Sequence, residues 1–128
     1  MPWWTVDIDG AMVSAARDWF CAPQGDQYRY HVEDAYDFVA KAEPGLYDYV
    51  LVDLFKGNHT PEKFFSAAFI SSLKLALRKG GLGALNFSLE NDGEQKKDLM
   101  AVLSGLFSNV EVVKMYGGAH HLIFFSDG

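Results

Sequence analysis

Three apolar runs in this chain end on carboxylates, and each is followed by a segment of helical pattern. The first is Thr5-Val6-Asp7-Ile8-Asp9, the second Tyr28–Val32 closed by Glu33-Asp34, and the third Tyr47–Val52 closed by Asp53. An ionised carboxylate presents only acceptor oxygens, so it suits a hydroxyl pair, an amino group or a cation. Asp and Glu are depleted within strands, so their recurrence at strand ends calls for a cause. In a parallel α/β sheet the carboxyl ends of the strands share one rim, and ligands bind in the crevice there. The spacing therefore predicts a row of carboxylates facing one pocket.

The elements that must position this row alternate. Residues 5–9 read as a short buried strand, and 11–20 as a helix with Met12, Val13, Ala16, Trp19 and Phe20 on one face. A loop at 23–26 leads to a strand over Tyr28–Val32, then a helix over 36–42 with Phe38, Val39 and Ala42 inward, punctuated by Pro44-Gly45. The continuous apolar centre Tyr49-Val50-Leu51-Val52 predicts a strand buried on both faces. After a loop at 54–60, Pro61 opens a helix that runs to residue 77 with Phe64, Phe65, Ala68, Phe69, Leu73 and Leu77 inward. Arg78-Lys79-Gly80-Gly81 terminates it, with cations and then glycine at the carboxyl end. Residues 82–87 form another buried strand and 94–107 a helix. The strand-like runs 110–116 and 121–125 are separated only by Gly117-Gly118-Ala119-His120, which forces an antiparallel hairpin.

Composition narrows the function classes. A length of 128 residues suits one domain with a single core. The net charge of −6 and isoelectric point near 5.0 oppose non-specific binding to nucleic acid or an anionic membrane. No run approaches the ~20 apolar residues of a membrane span, and no cationic start with an apolar segment reads as a signal peptide. A soluble cytoplasmic protein is expected. The one cysteine, Cys21, cannot form an internal disulfide and reads as a buried thiol at a helix end.

The string VDIDGAMVSAARDWF resembles the second strand and following helix of spermidine-synthase-like, S-adenosylmethionine-dependent class I methyltransferases, usually written VEIDPxMVxxAxxWF. The resemblance continues through YRYHVEDAYDFV, YDYVLVDLF and TPEKFFSAAFISSLKLALRKGGLGALNF into the closing hairpin, and covers nearly the whole chain. It implies a Rossmann-like α/β sheet, mostly parallel with a C-terminal antiparallel hairpin, and S-adenosylmethionine as cofactor. It also implies roles. Asp7 matches the acidic residue that binds the ribose hydroxyls; without a ligand it would be a buried or capping carboxylate. Glu33 and Asp34 match the acidic site after the next strand, where Asp34 would accept a hydrogen bond from the adenine amino group or, alternatively, cap the helix after it. Asp53 stands beside the transferred group, where it can orient or deprotonate an amine, and is the expected catalytic residue. Asp9 reads mainly as a helix N-cap, a role worth about 1 kcal/mol.

Two departures from the family pattern matter. Aminopropyltransferases carry a second acidic residue three positions after the one matching Asp53. Lys56 stands there, and a cation repels a polyamine, so spermidine synthesis is disfavoured. The family's first strand and glycine-rich cofactor loop have no counterpart, because Gly80-Gly81-Leu82-Gly83 precedes a strand and not a helix. That strand lies between those of Asp7 and Asp53, so its loss leaves open edges or forces the two to pair directly. Residues 1–128 are thus expected to be a single, N-terminally truncated methyltransferase-like domain, which could be inactive alone and whose open edge beside residues 3–9 would take a missing segment or a second copy.

Other residues carry less. His120-His121, adjacent in a strand, point to opposite faces and make a poor metal site, so no metal is expected. His59 reads as loop surface, His31 as packing, Lys96-Lys97 as a solvated helix face, and Trp3-Trp4 as an exposed apolar patch suited to self-association. Two other classes stay open: a non-catalytic interaction module on the same fold, and a receiver-like phosphoacceptor domain using Asp53, Asp7 or Asp9, Ser88 and Lys114. The terminal hairpin is wrong for the receiver.

Overall fold

The computed structural model describes residues 2–56, 59–88, 93–115 and 120–128. It divides into two compact units, residues 1–41 and 42–128.

In the first unit, strand β1 (Trp3–Asp7) pairs in parallel with β2 (Tyr28–Val32), in register from Trp3 with Tyr28 to Asp7 with Val32. The crossover is helix α1 (Gly10–Trp19), and α2 (Ala35–Ala40) follows β2. β1 begins two residues before its expected start and ends at Asp7, because Ile8 and Asp9 belong to the turn that starts α1. Asp9 Oδ1 accepts from the Ala11 amide at 2.9 Å, so Asp9 is the N-cap. Trp3 and Trp4 are strand residues and not a separate patch. Trp4 stacks on His31, ring planes 4° apart and centroids at 5.2 Å, and Phe38 of α2 meets both rings; Trp3 is exposed. His31 is therefore packing.

The inward face expected of α1 is only partly inward. Val13 is buried, but Met12, Trp19 and Phe20 are exposed. A two-stranded sheet, with strands about 4.8 Å apart, is narrower than a helix about 10 Å across, so it shields one row of side chains. α2 ends at Ala40, with Val39 as its buried residue. Cys21, expected buried, is exposed with φ of +53°. It occupies the left-handed position that closes α1, where the Ala22 amide bonds back to the Ala16 carbonyl at 3.0 Å, a place glycine usually fills.

The second unit is a four-stranded sheet in the order β3-β4-β6-β5, formed by β3 (Tyr47–Val52), β4 (Leu77–Ser88), β5 (Asn109–Lys114) and β6 (His120–Ser126). β3 and β4 are parallel, and β6 runs antiparallel to both β4 and β5. One 3₁₀ turn (Glu62–Phe65), α3 (Ala67–Ala76) and α4 (Gly93–Leu106) supply the helical layer. The expected helix from Pro61 is broken at Ser66, whose extended backbone and hydroxyl, 3.2 Å from the Phe69 amide, start α3 afresh. Phe64, Phe65, Phe69, Leu73 and Leu77 are buried as expected, while Ala68 is exposed and Ile70 takes a core place.

The core lies on one face of this sheet. Leu85 and Phe87 of β4 and Ile123 and Phe125 of β6 pack with Phe69, Ile70, Leu99, Leu103 and Phe107, all buried. The opposite face is half open: Tyr49 and Leu51 of β3 are exposed although their run is apolar. The expectation of burial on both faces fails there because the described helices of this unit, α3 and α4, cover the other face.

The glycine cluster is explained by packing. Arg78 and Lys79 do not cap α3; they belong to β4, where Arg78 pairs with Asp48 of β3. Gly80 has φ of +76°, and a side chain at Gly81 would press on the Arg78 and Asp48 carbonyls. Gly83 leaves the space that the Phe125 ring occupies across the strand pair.

The adjacent histidines part as strand geometry requires. His121 is 7 % exposed on the helix-covered face, with Lys96 Nζ 2.8 Å from its Nδ1. An ammonium only donates, so Nδ1 is the acceptor and the ring is neutral. Lys96 thus serves the interior of the unit, while Lys97 stays exposed near Glu94. Burial, then Lys96 and Lys114, hold the His121 pKa below the ordinary imidazole value.

Gly83→Ala should displace the Phe125 ring and lower the unfolding free energy by about 1–3 kcal/mol, read as a shift in urea midpoint; an unchanged midpoint would show that the ring moves without cost. Because the folded His121 pKa lies below the unfolded one, the unfolded chain binds the proton first, and stability should fall as pH drops through about 6.5 toward the folded value. Urea midpoints at pH 7.5 and 5.5 in the wild type and in His121→Gln test this: the variant should show the smaller difference.

Candidate functional site

In the first unit the parallel register brings the carboxyl ends of β1 and β2 side by side. The Glu33 amide bonds to the Asp7 carbonyl at 3.0 Å, continuing the ladder past the strand end. Asp7 is half-buried, and its Oδ1 accepts from the Asp9 amide at 2.9 Å. That bond orients the carboxylate and leaves its second oxygen as an acceptor at the rim. Asp34, also half-buried, accepts from the Tyr36 amide at 2.8 Å and so caps α2. Glu33 forms an ion pair with Lys41 at the end of α2, which turns its carboxylate toward that cation. Asp7, Glu33 and Asp34 therefore share one rim, with Asp9 as the cap of α1 beside them.

Asp53 follows β3 in the second unit and is exposed. Val52 pairs with Leu85, so the next positions, Asp53 and Asn86, are neighbours, and Asn86 Nδ2 donates to Asp53 Oδ1 at 3.3 Å. Because a carboxylate only accepts, this contact fixes which end of the amide faces Asp53. The Asn86 carbonyl oxygen is then buried with no hydrogen-bond partner among the described residues. A buried, unmatched acceptor costs about 1–3 kcal/mol, and native folds retain few of them. Asn86 was not singled out in the sequence, although a polar residue inside the apolar run 82–87 is the signal that marks it.

His120 lies on the same face of the sheet. It pairs with Ser88, two positions beyond the Asn86–Leu122 pair, and its ring meets Phe55 edge-on with centroids 5.5 Å apart. Its Nδ1 is buried without a partner among the described residues. Lys56 is exposed, and its amide donates to the His59 carbonyl at 2.9 Å; residues 57 and 58 lie outside the described residues. The hairpin residues 117–119 also lie outside the described residues, though the β5–β6 pairing on either side is antiparallel as expected. Among the described residues no cluster of His, Cys, Asp and Glu could hold a metal ion, and no helix is long and apolar enough to cross a membrane.

The chain is similar in sequence and fold to known proteins. The human eEF1A lysine and N-terminal methyltransferase is 26% identical over 130 residues, which cover 93% of this chain and 18% of that protein. The crystal structure of human methyltransferase-like protein 13 in complex with SAH superposes with a TM-score of 0.86 at 25% identity, over 96% of this chain and 60% of that one. A probable spermidine synthase from Corynebacterium glutamicum ATCC 13032 shares the fold with a TM-score of 0.87 at 24% identity, over 98% of this chain and 47% of that one. The chain thus spans about half the length of those solved structures and under a fifth of the curated relative. The fold is that of Rossmann-like class I methyltransferases, which sets aside the receiver-like alternative. The spermine/spermidine synthase domain model matches residues 3–116, and the chain belongs to that family as a methyltransferase-like domain.

Proposed function

We propose that this chain carries the adenosine-binding rim and the acceptor-side carboxylate of an S-adenosylmethionine-dependent methyltransferase acting on an amine nitrogen. The observation that carries the reading is the rim of the first unit: two half-buried carboxylates, Asp7 and Asp34, at adjoining carboxyl ends of parallel strands, each oriented by a backbone amide. The second oxygen of Asp7 suits a ribose hydroxyl, and a carboxylate such as Asp34 suits an amino group. A bound cofactor supplies an electrophilic methyl group. The chain's own residues then do the positioning: Asp7 accepts from the ribose hydroxyls and Asp34 from the adenine amino group, with Glu33 ordering the α2 end through Lys41. Asp53, steered by Asn86, receives the acceptor amine. The human relative is named for methylation of a lysine and an N-terminus, and both carry an amine, which supports the choice of acceptor. Lys56, a cation three residues after Asp53, argues against a polyamine.

Residues 1–128 are read as one part of such a domain, in a cytoplasmic setting. Among the described residues no strand pairs with β1 on the side away from β2, and that side would accept a further strand, from a longer chain or a second copy. A non-catalytic module is the second reading, favoured by the exposed apolar face of Tyr49 and Leu51.

Calorimetry with S-adenosylhomocysteine tests the reading. The chain should bind it, and Asp7→Ala should weaken the affinity at least tenfold while leaving the circular dichroism spectrum unchanged. Equal affinity in the variant would sink the ribose assignment, and no binding by the wild type would favour the module.

A further inference from the structure

Asp53, Asn86 and His120 present acceptor atoms on one face of the sheet, toward the carboxyl ends of β3 and β4. Asp53 is a carboxylate, which only accepts. The Asn86 amide spends a donor on Asp53 and leaves its carbonyl oxygen buried and unmatched. His120 leaves Nδ1 buried and unmatched on the same face, diagonal to Asn86 across the antiparallel pair. Diagonal neighbours of this kind lie about 7–8 Å apart at Cα, within reach of these side chains. Phe55, two residues after Asp53, meets the His120 ring and ties it to the loop that carries the carboxylate. All of these residues belong to the second unit.

A primary amine, as an ammonium, has three N–H donors and no acceptor, which is the complement of this set. The aromatic ring of Phe55, partly exposed, adds a surface that favours a cation. The two buried atoms have no partner among the described residues, and a bound amine would satisfy both. Lys114 is paired in register with His121 and Lys96 bonds to it, so both serve the opposite, helix-covered face. Lys56, next to Phe55 and exposed, is the remaining cation beside Asp53, and it disfavours a second positive charge on the acceptor, as in a polyamine, more than a single ammonium.

Building on the methyltransferase reading, we propose that His120, through Nδ1, is the third member of an amine cradle with Asp53 and Asn86, and so a specificity-determining residue for the acceptor. It follows that the Nε2–H tautomer is the competent one, because Nδ1 must accept.

The test uses the whole chain saturated with S-adenosylhomocysteine and ¹⁵N-labelled at histidine. Trialanine represents a chain α-amine, n-butylamine a lysine side chain, and N-acetyltrialanine is the control without an amine. At least one of the two amines should shift the His120 Nδ1 resonance and the acetylated peptide should not; which amine binds more tightly identifies the source. His120→Phe keeps the ring against Phe55 but removes the acceptor, and should weaken amine binding tenfold or more with S-adenosylhomocysteine affinity unchanged. His120→Asn places an amide oxygen where Nδ1 stands and should restore amine affinity to within about threefold of wild type. Amine affinity unchanged in His120→Phe, or equal loss in both variants, overturns the assignment. S-adenosylhomocysteine binding without any amine response overturns the cradle alone, whereas loss of both in the wild type overturns the methyltransferase reading with it.

Discussion

The second unit depends on β4 being paired on both sides while burying one face. β3 lies parallel on one side and β6 antiparallel on the other, so each β4 backbone group in the paired region finds its partner in the ladder, as a buried backbone requires. Leu85 and Phe87 can then enter the core with Ile123 and Phe125 opposite them. The price of this pairing is steric: Gly83 must stay a glycine because the Phe125 ring takes its side-chain space. Once β4 is set, its polar residue Asn86 has nowhere to go but the other face, beside Asp53.

Strand ends in a parallel arrangement are also helix beginnings, and this gives the carboxylates two demands on one group. Asp9 and Asp34 satisfy amides at the starts of α1 and α2, and Asp7 satisfies the amide of the turn between. Each bond uses one oxygen. The carboxylate is thereby held in one orientation before any ligand arrives, which lowers the entropic cost of binding. Capping and ligand binding are thus compatible, and the same residue can be justified by either. Glu33 differs, since its partner is the Lys41 ammonium at a partly exposed site, where an ion pair contributes little.

Much of the element order was legible because periodicity and punctuation are local signals. The strand over Tyr28–Val32, the helix starts at Asp9 and Asp34, and the closing antiparallel pair all follow from residue type and spacing. The errors fall where a neighbour decides. Cys21 reads as a buried thiol by type, yet the turn closing α1 needs a left-handed residue there and leaves it exposed. Lys96 reads as solvated, yet buried His121 needs a donor and draws it inward. Tyr49 and Leu51 read as core, yet burial requires a covering layer that strand pattern cannot supply.

The sequence by itself determined the family, the order of strands and helices, and the carboxylates that close three of the strands, because each rests on residues adjacent in the chain. Only the tertiary structure decided which groups share a site. Asp53 and Asn86 are 33 positions apart and Asn86 and His120 a further 34. Register between β3, β4 and β6 makes them neighbours, and register is set by which side chains fit the core on the opposite face.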